Sequence, residues 1–121
     1  MILIIGGAFQ GKREYAETNY ENAGEHIFYL NTWARGIFEK AEKDGAVLQD
    51  KMSEDTRQAL KNKIADDPGL IIITDEIGRG IVPAQRRERD FREFVGGLQV
   101  MLAQEADEVV RVICGIGQRI K

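Results

Sequence analysis

Apolar and polar positions divide the chain into two alternating patterns. Short apolar runs stand at residues 2–5 (ILII), 26–30 (HIFYL), 70–73 (LIII) and 109–114 (VVRVIC). The first and third lack the in–out alternation of a half-exposed strand, the pattern of parallel strands covered on both faces. The segments between the runs repeat at three and four residues, the helical spacing. A short helix is expected from Lys12 to about Tyr20. A second, over 32–43, carries Trp33, Ile37 and Ala41 at four-residue steps with Phe38 beside them. A third, over 53–65, opens on Ser-Glu-Asp-Thr, a capping sequence, and sets Ala59, Leu60 and Ile64 on one face. The longest, over about 84–104, joins Phe91, Phe94, Val95, Leu98, Met101 and Leu102 in one stripe. Pro83 stands where a helix start tolerates it. Strands that alternate with helices imply βαβ units and right-handed crossovers. The expected architecture is a single α/β domain over 1–121, a mostly parallel sheet flanked by helices.

Composition narrows the function classes. A length of 121 residues suits one domain with its own core. A net charge of −3 argues against a general nucleic-acid binder, which needs a basic surface. No apolar stretch approaches membrane-spanning length. The N-terminal run is short and leads into glycines, so it does not read as a signal peptide. The lone Cys114 permits no internal disulfide and suits a reducing cytoplasm. Because it ends an apolar run, Cys114 is expected to be a small buried residue.

Chemistry concentrates where the first apolar run ends. Residues 6–13 read GGAFQGKR: Gly6, Gly7, Ala8, Phe9, Gln10, Gly11, Lys12 and Arg13. They follow the phosphate-binding pattern G-x-x-x-x-G-K-[ST] except at the last position. Such a loop works through its backbone, whose N–H groups converge on phosphate oxygens while the helix N-terminus adds partial positive charge. Lys12 would supply a point charge to the terminal phosphates. The context of strand, glycine turn and helix is the required one, and the plain alternative is a strand-to-helix turn with no ligand. Arg13 replaces the hydroxyl that would hold Mg²⁺. A guanidinium repels the metal, yet can pair with a phosphate by two N–H groups. Phosphate binding is thus better supported than metal-assisted transfer.

Other polar positions are less specific. The third run ends in Asp75 and Glu76, where nucleotide enzymes often carry a carboxylate that organises magnesium or water; a solvated strand end is the alternative. Asn31 ends the second run with a neutral side chain. His26, the sole histidine, reads as a surface or edge residue at a strand start. Arg86, Arg87, Arg89 and Arg92 crowd the start of the long helix among Glu88, Asp90 and Glu93, the pattern of a salt-bridged solvated face. One or two of them could still reach an anion near the preceding Gly-Arg-Gly.

Both ends of the chain resemble one family. The segment DEIGRGIVP, the helix start Arg86-x-x-Arg89-x-Phe91-Arg92, the piece Asp107-Glu108-Val109 and the terminal GIGQRIK follow one another without apparent insertion. Together they resemble the C-terminal half of the bifunctional adenosylcobinamide kinase/adenosylcobinamide-phosphate guanylyltransferase family, and GGAFQGK resembles that family's loop. The resemblance implies a P-loop NTPase-like fold, ATP or GTP as nucleotide, a corrinoid (cobinamide) substrate in cobalamin assembly and a homo-oligomer, in the family often a trimer. It maps Gly6, Gly7, Gly11 and Lys12 to the phosphate loop, Glu76, Gly78 and Gly80 to the loop after the third run, and Arg86 and Arg89 to the helix start. Against the family pattern, Arg13 replaces a serine, Asn31 an acidic residue and Gln99 an asparagine. The middle of the chain is shorter, and the piece holding the family's guanylylated histidine is missing; His26 does not match it.

Two functional readings follow. In one, the chain is a nucleotide-dependent kinase: Lys12 stabilises the transferred phosphoryl group, loop amides cradle the nucleotide, and Glu76 or Asp75 orients metal or hydroxyl. In the other it is a binding or regulatory module that holds a nucleotide or other anion without transferring anything. A structural oligomer with a vestigial loop is the weaker third reading. The Gly11-Lys12 pair and DEIGRGIVP favour a surviving nucleotide site; Arg13, Asn31 and the missing histidine count against guanylyl transfer.

Overall fold

The computed structural model describes residues 1–43, 50–77 and 84–121. Five strands form one sheet in the order β2-β3-β1-β4-β5, with β1 (Ile2–Gly6), β2 (Ile27–Tyr29), β3 (Ile71–Asp75), β4 (Glu108–Ile113) and β5 (Ile116–Arg119). The pairs β1–β3, β1–β4 and β2–β3 are parallel, and β4–β5 is antiparallel. The apolar runs of β1 and β3 are explained by their position inside the sheet. Leu3 and Ile4 point to opposite faces and both are buried, as are Ile71, Ile72 and Ile73.

The two faces are covered unequally. On one, α1 (Lys12–Asn19) and a single 3₁₀ turn at Ala23–Glu25 cover Ile4, Ile71, Ile73, Val110 and Val112 through Ala16 and Ala23. On the other, α2 (Leu30–Lys43), α3 (Asp50–Asp66) and α4 (Arg86–Glu105) build the larger core around Phe38. Phe38 is fully buried and meets Phe91 edge to face with ring centroids 5.3 Å apart. Burying a side chain of that size contributes about 1.5–3 kcal/mol, and the edge-to-face contact adds about 0.5–1.5 kcal/mol.

Several sequence expectations shift. Leu30 and Asn31 do not extend the second strand; they open α2. The buried face of α2 is centred on Leu30, Ala34, Phe38 and Ala41, one residue round from the Trp33–Ile37 row, because Trp33 packs at the margin against Phe28. Helix α3 begins at Asp50, so Ser53 lies inside it and not at its cap. Helix α4 begins at Arg86 with Gln85 as its extended cap; Pro83 lies outside the described residues. Cys114 is exposed, contrary to the expectation of burial. It shares a two-residue hairpin turn with Gly115, both at positive φ (50° and 77°), the backbone that a tight turn matched to strand twist requires. That turn starts the fifth strand, which no apolar run announced.

Candidate functional site

Strand register assembles the site. Gly6 at the end of β1 lies directly beside Asp75 at the end of β3, and Ile5 lies between Thr74 and Arg111. The chain crosses from β3 past β1 to β4, so the sheet order reverses around β1. The carboxyl edge at such a reversal is where open α/β sheets hold ligands. The loop over 7–11 leaves β1 at that point and turns into α1.

Glycine at position 11 makes this turn possible. It caps α1 at φ 84°, a left-handed conformation that costs glycine little, and makes no side-chain cap bond. A Cβ there would come within 3.2 Å of the Gly115 Cα, so the loop and the β4–β5 turn touch. Gln10 fastens them: its carbonyl accepts from the Gly115 N–H (2.8 Å) and its side-chain Oε1 from the Cys114 N–H (2.8 Å). The first main-chain bond of α1 runs from the Tyr15 N–H to the Gly11 carbonyl (2.9 Å). Amides of the preceding turn therefore lack intrahelical acceptors, the arrangement that favours an anion. Phe9 stands at the tip of the loop, fully exposed and at φ 59°.

Lys12 is folded into the base of the loop and is 8% exposed. Its Nζ donates to the carbonyls of Gly6 (3.0 Å) and Gly7 (2.7 Å) and to Asp75 Oδ1 (2.7 Å), so all three donors are used. Arg13 points elsewhere. Its Nε donates to Glu17 (2.8 Å) and its Nη1 to the Tyr29 hydroxyl (2.7 Å), which lays the guanidinium along α1 toward the end of β2.

The two neighbouring carboxylates have different partners. Asp75 is half exposed and faces Lys12. Glu76 donates its backbone N–H to the Gly6 carbonyl (2.9 Å), while its carboxylate is ion-paired to Arg111 of β4. Arg111 is a site residue that sequence reasoning did not single out, although one charge inside an apolar run was a visible signal. Asn31 and Gln99 also belong here. Asn31 Oδ1 accepts from the Thr74 hydroxyl (2.8 Å) and the Asp75 N–H (2.9 Å). Gln99 Nε2 donates to Thr74 Oγ1 (2.8 Å) and to the Asp75 carbonyl (2.8 Å).

The remaining expected residues make other contacts or lie outside the described residues. Arg86 is 3.8 Å from Asp90 and Arg89 donates to the Ala84 carbonyl (2.8 Å), both at the start of α4. Charges at the start of α4 also reach across to α2: Arg87 pairs with Glu42, and Glu88 with Arg35, whose hydrogen bond holds the Glu88 carboxyl below its ordinary value. Gly78 and Gly80 lie outside the described residues. His26 does not approach the loop; its Nδ1 meets Asp67 Oδ2 at 2.8 Å beside the turn into β3. Among the described residues, no group of three or more His, Cys, Asp or Glu is placed to hold a metal ion, and no helix is long and apolar enough to cross a membrane.

A mostly parallel sheet whose glycine turn leaves the central strand at the order reversal defines an α/β protein with a P-loop-like fold. The family can be stated as well. The family model of cobinamide kinase / cobinamide phosphate guanyltransferase matches residues 30–120, and the chain belongs to that family. It is 46% identical over 52 residues to the bifunctional adenosylcobalamin biosynthesis protein CobU of Salmonella typhimurium and 44% identical over 52 residues to that of Escherichia coli. Each alignment takes in 43% of this chain and 29% of the relative's length. Residues 6–13 precede the span that the family model matches.

Proposed function

We propose that this chain binds the phosphates of ATP or GTP in the loop formed by Gly6, Gly7, Ala8, Phe9, Gln10, Gly11 and Lys12. The observation that carries this reading is the placement of Lys12. A lysine at the end of a glycine turn is buried beneath it, held by two loop carbonyls and by the carboxylate of the neighbouring strand. An anion at the mouth of the loop would meet this ammonium and the first-turn amides of α1 together. Membership of a family whose relatives are named for cobalamin biosynthesis makes a corrinoid the natural acceptor, with transfer to its hydroxyl as the kinase reaction.

Binding is favoured over transfer by the donor set. Residue 13 is a cation where the pattern has a hydroxyl, Asp75 is engaged by Lys12, and Glu76 by Arg111. These side chains do not compose a Mg²⁺ site. The second reading, a nucleotide- or anion-binding regulatory module, rests on the same three contacts. Assembly as a homo-oligomer, with the trimer as first candidate, belongs to the proposal too.

Titration calorimetry with ATP and GTP, with and without Mg²⁺, on the natural chain and on Lys12→Ala tests the reading. Loss of a charge-assisted contact of about 1.5–3 kcal/mol should weaken binding roughly 10- to 100-fold. The natural chain's failure to bind either nucleotide at millimolar concentration would sink the site. Phosphate transfer to cobinamide separates kinase from module.

A further inference from the structure

The end of β3 is held with unusual completeness. Both main-chain groups of Asp75 are bonded to side chains from helices on the larger core's side of the sheet: its N–H to Asn31 of α2 and its C=O to Gln99 of α4. The same two side chains meet at one atom, the Thr74 hydroxyl, which donates to Asn31 and accepts from Gln99. Thr74 is 1% exposed and its bonds to the half-buried Asn31 and Gln99 are partly buried, surroundings in which a satisfied polar network is rigid and a broken one costly. With its backbone fixed on both sides, Asp75 presents its carboxylate at 2.7 Å from Lys12 Nζ.

We infer that Asn31 and Gln99 are positioning residues that hold Asp75 against Lys12, so that the loop's lysine is engaged by an internal anion which an incoming phosphate must displace. Lys12 has three donors, and Gly6, Gly7 and Asp75 use all of them. A phosphate oxygen reaches Nζ only by replacing one of these acceptors. Asp75 is the one that can yield: its side chain is half exposed, whereas Gly6 and Gly7 are part of the loop itself. The Asn31 contribution needs only an oxygen acceptor, so aspartate at that position preserves it and an apolar residue does not. The displacement half of this inference rests on the nucleotide reading above; the positioning half does not.

The experiment has two arms. In the first, limiting acetic anhydride labels the intact chain, and acetylation of Lys12 is followed by peptide mass spectrometry alongside the melting temperature. Asp75→Asn should raise Lys12 labelling roughly fivefold, the scale of one partly exposed ion pair. Asn31→Ala and Gln99→Ala should approach the same level, and Asn31→Asp should label like the natural chain. The double variant Gln99→Ala/Asp75→Asn should label no faster than Asp75→Asn alone. Natural labelling in Asn31→Ala and Gln99→Ala, even with a lowered melting temperature, overturns the positioning role, as does a fully multiplicative double variant. If Gln99→Ala does not fold, the Asn31→Ala and Asn31→Asp comparison decides alone. In the second arm, metal-free ATP should bind Asp75→Asn roughly five- to tenfold more tightly than the natural chain, since a competing and repelling charge is gone. Equal or weaker binding overturns the displacement. Should neither protein bind ATP, the nucleotide reading and the displacement fall together, and the labelling still decides the positioning.

Discussion

Replacing Gly6 with alanine tests whether the loop is seated on the sheet as described. A Cβ built at this position lies 2.5 Å from the Val112 carbonyl oxygen of β4 and 3.3 Å from Lys12 Cδ. Carbon–oxygen contacts begin near ~3.3 Å, so the alanine arrives about 0.8 Å too close to a main-chain atom. That atom cannot swing aside. Val112 is fully buried and is paired to Gly117 of β5, so relief requires moving strand β4 or the end of β1. Overpacking of this kind costs about 1–3 kcal/mol. For a chain of this length that lowers the melting temperature by roughly 4–12 °C. Gly36 supplies the opposite control. It lies inside α2, and a Cβ there meets nothing within 4 Å. Gly36→Ala should therefore stabilise by about 0.5–1 kcal/mol. Paired thermal and urea unfolding curves measure both. Because Gly6 also begins the loop, ATP binding should weaken in Gly6→Ala and stay unchanged in Gly36→Ala. A Gly6→Ala protein as stable as the natural chain would refute the close approach of β1, Lys12 and Val112.

Two further outcomes follow from the charges. The carboxyls of Asp67, Glu88 and Asp107 are held below their ordinary values, chiefly by hydrogen bonds from His26, Arg35 and the N-terminal ammonium. A depressed folded value means that their stabilisation is present above the unfolded pKa of about 4 and lost as pH falls through the folded value. Urea unfolding between about pH 6 and 2 should show this acid loss, and Asp67→Asn should flatten it; an unchanged slope in Asp67→Asn refutes its share. Arg13→Ser restores the hydroxyl of the phosphate-loop pattern and removes a cation, so Mg²⁺ should raise ATP affinity more in this variant than in the natural chain. Equal Mg²⁺ dependence in calorimetry would show that Arg13 is not what limits the metal.

The layered fold was legible because burial on both faces of β1 and β3 leaves unbroken apolar runs, a pattern few other environments produce. The stripe of α4 was legible for a similar reason: Phe91, Val95, Leu98 and Leu102 all face one core. The fifth strand was not. Its residues Ile116, Gly117, Gln118 and Arg119 sit at the sheet edge with little burial, so nothing in the pairing demands an apolar run. The hint lay in the turn. Gly115 after VVRVIC marks a reversal, and a reversal there takes Cys114 out of the strand and into water.

The site was legible one residue at a time, and its connections were not. Glycine spacing identifies the loop because the requirement is local: a left-handed residue at Gly11, then a helix. The partners of Lys12 are set by register, which joins Gly6 to Asp75 across 69 positions of sequence and no local pattern encodes. The same holds for Asn31 and Gln99. Read alone, each was a departure, a neutral side chain where a family pattern has another residue. Side by side they form one device, since the oxygen of Asn31 and the amide of Gln99 divide the acceptor and donor needs of Thr74 and Asp75 between them. Asn31 keeps an oxygen where the resembled family has a carboxylate, so the acceptor survives without the charge. Asp75 is the carboxylate that faces Lys12 among the described contacts. If Asp75 is the acceptor that yields, anion binding at the loop turns on Asp75, and Asn31 bears on it through the oxygen it offers to Thr74 and the Asp75 N–H, not through a charge.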